Sequence, residues 1–191
     1  MVAAHHRCHV LWRSLRYRIS LLLVAITGLA GCTAVPRGVT VVEQLPLQPY
    51  LGRWYEIARL DHSFERGLSC VTADYSLRDD GGVRVINRGY DPEAAKWREV
   101  EGKAYRNGEG EEGRLKVSFF GPFYGAYNVM AVDLQQGYSL VAGPDHDYLW
   151  ILARQPSLPA DTYQQLLQRA AAAGFVTDDL IRVEQQACPQ P

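Results

Sequence analysis

The sequence has no apolar run of the roughly 20 residues that a membrane-spanning helix needs. It has no Ser-His-Asp spacing, no metal-ligand cluster and no internal repeat. Past its first segment it also lacks any run of arginine or lysine. These absences exclude a helical membrane protein and give no support to a hydrolase, a metal centre or a tandem array. They also leave no footprint for nucleic acid. What remains is one domain in 191 residues, long enough to bury a sizeable core.

The first segment reads as an export signal. Arg7, Arg13, Arg16 and Arg18 form a basic head, and Ile19 to Ala30 is a mostly apolar stretch too short to span a bilayer. It runs into Leu29-Ala30-Gly31-Cys32, which resembles the lipobox of bacterial lipoproteins. Residues 1–31 are therefore expected to be removed and Cys32 to be acylated, leaving 32–44 as a lipidated N-terminus and linker and 45–191 as the folded domain. Thr33, rather than an aspartate, follows Cys32 and resembles the sorting pattern for the outer membrane, which leaves the domain in the periplasm. Several buried acyl chains, at about 0.8 kcal/mol per CH₂, make such attachment effectively permanent. Losing four arginines and no acid takes the formal charge from −1 to −5.

Of the four cysteines, Cys8 leaves with the signal and Cys32 is taken by lipid. The economical reading of the remaining pair, in an oxidising compartment, is a Cys70–Cys188 disulfide. A loop of that length would add up to about 4–5 kcal/mol in the chain-entropy model.

The mature chain reads as a β meander. Pro46 and Pro49 suit a 3₁₀ turn or an extended lead-in. Strands are expected over Trp54–Leu60, Cys70–Leu77, Val83–Tyr90, Lys96–Tyr105, Arg114–Phe119, Tyr127–Asp133, Tyr138–Ala142 and Tyr148–Arg154. Asp79-Asp80-Gly81-Gly82, Asp91-Pro92 and the stretch Asn107–Gly113 punctuate them. A helix follows over Asp161–Ala173, capped by Gly174, and Leu180–Val183 suits a short last strand. Eight strands on short turns suggest a closed antiparallel up-and-down β-barrel with one helix outside it. An open β-sandwich competes on pattern alone.

Three short motifs carry a resemblance. Gly52-Arg53-Trp54-Tyr55, Asp147-Tyr148 and Arg154 resemble, in order and separation, the three conserved motifs of the lipocalins. Trp54-Tyr55-Glu56-Ile57-Ala58, Asn87-Arg88-Gly89-Tyr90 and Trp150-Ile151-Leu152-Ala153-Arg154 are similar to the bacterial outer-membrane branch and its apolipoprotein D relatives. The likeness covers nearly the whole mature chain. It implies an all-β barrel that binds fatty acids or lysophospholipids, with no cofactor.

Barrel geometry assigns the named residues. Trp54 opens the first strand and Arg154 closes the eighth, so both lie at one end, where a guanidinium over an indole forms a floor plug. The loops Asp61–Ser69, Asp91–Ala95, Phe120–Gly125 and Gly143–His146 share the other end, the mouth. Alternation turns Tyr75, Val85, Asn87, Phe119, Tyr127, Tyr148 and Trp150 inward. Tyr75, Asn87, Tyr127 and Tyr148 could then bond a carboxylate or phosphate head near the mouth. The same aromatics could instead fill a solid core. Glu56 shares the parity of Trp54 and is expected to pair with Arg154. Phe120, Phe123 and Tyr124 suit a lid, a membrane-touching lip or a contact between two copies.

The leading function is a lipid-anchored carrier of a fatty acid or lysophospholipid in the cell envelope. A lipid isomerase is the alternative and needs a free, inward thiol, whereas parity turns Cys70 outward. Haem carriage would fall to His62 and His146, which as mouth histidines are expected to be solvated.

Overall fold

The computed structural model describes residues 33–190; the expected signal peptide and Cys32 lie outside them. Turn residues rich in glycine and aspartate divide the chain into β1 (Gly52–Arg59), β2 (Ser69–Leu77), β3 (Val83–Asp91), β4 (Lys96–Arg106), β5 (Arg114–Ser118), β6 (Gly125–Asp133), β7 (Tyr138–Ala142) and β8 (Leu149–Ala153). Each strand pairs antiparallel with the next, and β1 pairs with both β2 and β8, which closes the barrel and excludes the open sandwich. Leu47–Tyr50 forms a single helical turn, α1, just ahead of β1.

The floor is organised by one arginine. Trp54 is fully buried and donates its indole N–H to the Tyr50 carbonyl at 2.9 Å. The Arg154 guanidinium lies over the indole, with Cζ 3.8 Å from the ring centroid. It also donates to three carbonyls, Arg53 (2.7 Å), Pro49 (2.8 Å) and Leu51 (2.7 Å). Those carbonyls converge because the chain turns sharply at Gly52, whose φ of +90° excludes most side chains. The charge is thus spent on the backbone of the strand that carries the tryptophan.

β1 carries an irregularity that shapes the opposite half. Its register against β8 shifts between Glu56 and Ala58. Trp54 and Glu56 face inward, Ile57 and Ala58 face outward, and Arg59 faces inward again. Strict alternation would have sent Arg59 to solvent; the extra residue of the bulge reverses it.

The outward side chains of β1, β6, β7 and β8 form a second apolar layer under helix α2 (Ala160–Ala172). Leu166 and Ala170 bury the inner face of α2. Gly174 (φ +96°) ends it: the Gly174 N–H bonds the Ala171 carbonyl at 3.0 Å and the Phe175 N–H bonds that of Ala170 at 3.1 Å.

Both ends of the described chain are fastened to the wall. A short strand, β9 (Ile181–Arg182), pairs with β1 at Ala58 and Arg59, where β1 has left β2. Gln185 then bridges the gap, donating to the carbonyls of Glu56 and Val71, both at 2.8 Å, and Cys188 closes the disulfide with Cys70. At the other end the stretch expected to be a linker is docked instead. Asn107 and Asn128 donate to the carbonyls of Thr33 (2.7 Å) and Ala34 (3.1 Å), and Val42 bonds Val129 and Gly113. Trp54→Ala empties the floor beneath Arg154 and is expected to cost about 3–5 kcal/mol, read as a lowered urea midpoint.

Candidate ligand site

The barrel interior divides into two polar layers separated by aliphatic and aromatic wall. The lower one is neutral. The Tyr127 hydroxyl lies 2.7 Å from that of Tyr50 and 3.1 Å from that of Tyr75, and Tyr50 also meets Ser139 at 3.0 Å. Burial pushes the Tyr50 hydroxyl up to about 12 and raises Tyr75 and Tyr127 as well, so all three stay neutral donors and acceptors. Tyr75 and Tyr127 are partly buried.

The upper layer is charged. Arg59 donates through Nη1 to Glu56 Oε1 at 2.8 Å and through Nη2 to the carbonyls of Glu65 (2.7 Å) and Leu68 (3.2 Å). The loop between β1 and β2 folds in above it. Glu65 Oε2 accepts the Trp150 indole N–H at 3.2 Å and lies 3.1 Å from His62 Nε2. His62 stacks at 3.9 Å on Phe64, with the rings of Trp150 and Tyr148 at 5.3 and 5.9 Å. Burial first, then the charge of Glu65, holds the Glu56 carboxyl well above the usual carboxylate range despite the pull of Arg59.

Two polar atoms of this layer, Arg59 Nε and His62 Nδ1, have no partner among the described residues and are cut off from solvent. Unmet buried donors and acceptors are costly.

This architecture has known counterparts. The lipocalin-like domain family matches residues 45–185. The chain is 52% identical over 173 residues to "Outer membrane lipoprotein Blc" of Citrobacter freundii, covering 88% of this chain and 98% of that protein. It is 32% identical over 169 residues to apolipoprotein D of Mus musculus, covering 84% and 86%. Among solved structures, the cockroach allergen Per a 4 superposes with a TM-score of 0.65 at 23% identity, covering 82% of this chain and 98% of that one.

The chain is a lipocalin. It is similar over most of its length to proteins named as outer membrane lipoproteins.

The residues expected to line the pocket of this lipocalin lie at different heights. Tyr75 pairs with Gly52 and sits at floor level, so Tyr75 and Tyr127 belong to the lower hydroxyl layer and not to the mouth. Val85 and Phe119 lie on the wall facing that layer. Tyr148 and Trp150 stack on each other in the mouth half, whereas Asn87 pairs with Ala73, itself opposite Trp54, and lies lower than expected. Two expectations are corrected. Glu56 pairs with Arg59 and not Arg154, because the bulge brings Arg59 inward while Arg154 is saturated by carbonyls. His62 is only 5% exposed, not solvated. Arg59 and Glu65 are buried in the mouth half although no periodicity pointed to them.

The raised Glu56 has a consequence for stability. A carboxyl whose folded pKa lies above its unfolded value binds more protons when folded, so stability falls as pH rises between the two. Glu56→Gln removes that loss. The drop in urea midpoint between about pH 5 and pH 8 is expected to be smaller in the variant than in the parent protein, with the two converging toward acid.

Proposed function

We propose that this lipocalin carries one fatty acid or lysophospholipid, with the polar head under the mouth at Arg59 and the tail running down toward the tyrosine layer. The supporting observation is the Arg59 guanidinium, buried at the top of an apolar barrel with Nε unpartnered. A carboxylate or phosphate oxygen suits that donor. Trp150 and Tyr148 border the head, and Asn87, Val85, Phe119, Tyr75 and Tyr127 border the tail. This arrangement suits an amphiphile with one long chain.

Cys32 is the proposed attachment point, acylated after removal of residues 1–31. No catalytic step is proposed. The isomerase reading needs a free thiol facing the cavity, whereas Cys70 and Cys188 are bonded to each other. Haem carriage gains nothing from His62, which is packed between aromatic rings and Glu65. If two copies meet through the Phe120–Gly125 lip, each barrel still carries its own ligand.

Delipidated protein titrated with a fatty acid or a lysophospholipid is expected to bind one molecule per chain and to quench Trp150 fluorescence. Trp150→Ala is expected to weaken binding at least about tenfold, the loss of roughly 1.4 kcal/mol of contact, with a smaller effect on folding than Trp54→Ala. Absence of saturable binding in calorimetry would refute the carrier reading.

A further inference from the structure

Three features that serve neither the floor nor the ligand cluster share one wall of the barrel. The first is the point where the chain enters it. Thr33 and Ala34 are held by Asn107, just past the floor end of β4, and by Asn128 on the outer side of β6. Thr33 follows Cys32 directly in the sequence.

The second feature is the lysines. The chain has only three, Lys96, Lys103 and Lys116, and all lie on β4 and β5. Lys103 and Lys116 project from the outer faces of these strands, and Lys96 stands at the mouth end of β4. None of the three is in an ion pair among the described residues. The neighbouring acids Glu99 and Glu101 are already taken by Arg88 and Arg84. Lys116 is steadied at 5.2 Å from the Tyr124 ring. The third feature is the β5–β6 loop at the mouth end of the wall, where Phe120 is 78% and Phe123 73% exposed.

We propose that the β4–β5–β6 wall is the face this lipocalin lays against a phospholipid bilayer, so that the barrel lies on its side and its mouth opens beside the headgroups. The occupant follows from the order of the features along the wall. An acyl anchor leaves at the floor end, the ammonium groups of Lys103 and Lys116 occupy the middle, and two exposed aromatic rings stand at the mouth beside Lys96. Anchor and rings enter the apolar layer at opposite ends of the wall, and the lysines between them meet phosphate. Long lysine stems cover apolar surface while the charge reaches the headgroup layer. Near an anionic bilayer each such charge contributes about 1 kcal/mol. The exposed acids Glu109 and Glu111 lie on the β4–β5 turn, at the anchored end, where the acyl chains and not charge hold the contact. A barrel standing on its floor would instead leave both phenylalanines and two of the lysines away from lipid.

The proposal rests on Cys32 being acylated, and its test separates the two. Mature acylated protein is placed on phosphatidylcholine–phosphatidylglycerol vesicles containing nitroxide lipid. A fluorophore is attached at Phe123→Cys, or at Leu77→Cys on the floor end of the opposite wall. The label at 123 is expected to be quenched severalfold more than the label at 77, and Lys103→Glu with Lys116→Glu is expected to reduce that difference. Equal quenching at both sites, stronger quenching at 77, or quenching at neither overturns the side-on arrangement. So does protection of the 123 label through self-association in the absence of vesicles. Flotation of the parent protein against Cys32→Ser tests the anchor separately. If Cys32→Ser floats equally well the anchor reading fails, while the same two labels on that variant still decide the wall.

Discussion

The extra residue in β1 between Glu56 and Ala58 is the constraint on which the rest of the barrel depends. Below it β1 is held by β2, and above it β1 has turned away, leaving backbone groups of both strands to be satisfied. Buried peptide groups do not stay unpaired without cost. β9 takes the upper edge of β1, the Gln185 amide spans from Glu56 to Val71, and the Cys70 N–H finds the Glu184 carbonyl at 2.7 Å. The disulfide then makes this patch of the wall covalent. The C-terminal tail is thus a structural part of the barrel, required by one inserted residue some 130 positions earlier in the chain.

The same bulge separates a neutral polar layer from a charged one. In the floor half, neutral hydroxyls satisfy one another and Arg154 is neutralised by nothing more than aligned carbonyls, so the layer is complete without a guest. In the mouth half, an arginine and two carboxyls are enclosed together, and charges at that spacing cannot all be ionised and fully solvated by protein. The compromise is a carboxyl held toward its protonated form and two polar atoms left without a partner among the described residues.

These physical differences explain which parts could be read from the sequence. Strand boundaries were legible because aspartate and glycine mark each turn and the side-chain period of two persists between them. The pairing of Trp54 with Arg154 followed from the same parity, since eight strands return the chain to its starting end. Arg59 was not legible, because a bulge breaks the period and nothing in Glu56-Ile57-Ala58-Arg59 announces it. Glu65 and His62 lie on a loop whose inward fold is decided by tertiary contacts with Trp150 and Arg59. The heights of Tyr75 and Tyr127 depend on how far each strand is staggered against its neighbour, a property of the closed sheet that alternation does not encode. The docking of Thr33 and Ala34 rests on two asparagine side chains, which sequence alone would assign to turns and solvent.

That docking bears on how a carrier can be permanent and yet exchange its cargo. An acyl anchor attached through a long linker would hold the barrel near the membrane without choosing a face. With the chain fixed to the wall from Thr33 onward, the wall re-encounters the bilayer at an effective concentration set by almost no slack, in the millimolar range for short tethers. Two lysines and two phenylalanines, too few to hold a free protein on lipid, are then enough to bias orientation. A contact of that strength also lets go readily. The β5–β6 lip can leave the headgroups and return without the anchor being lost, which leaves the mouth free to move while a ligand passes.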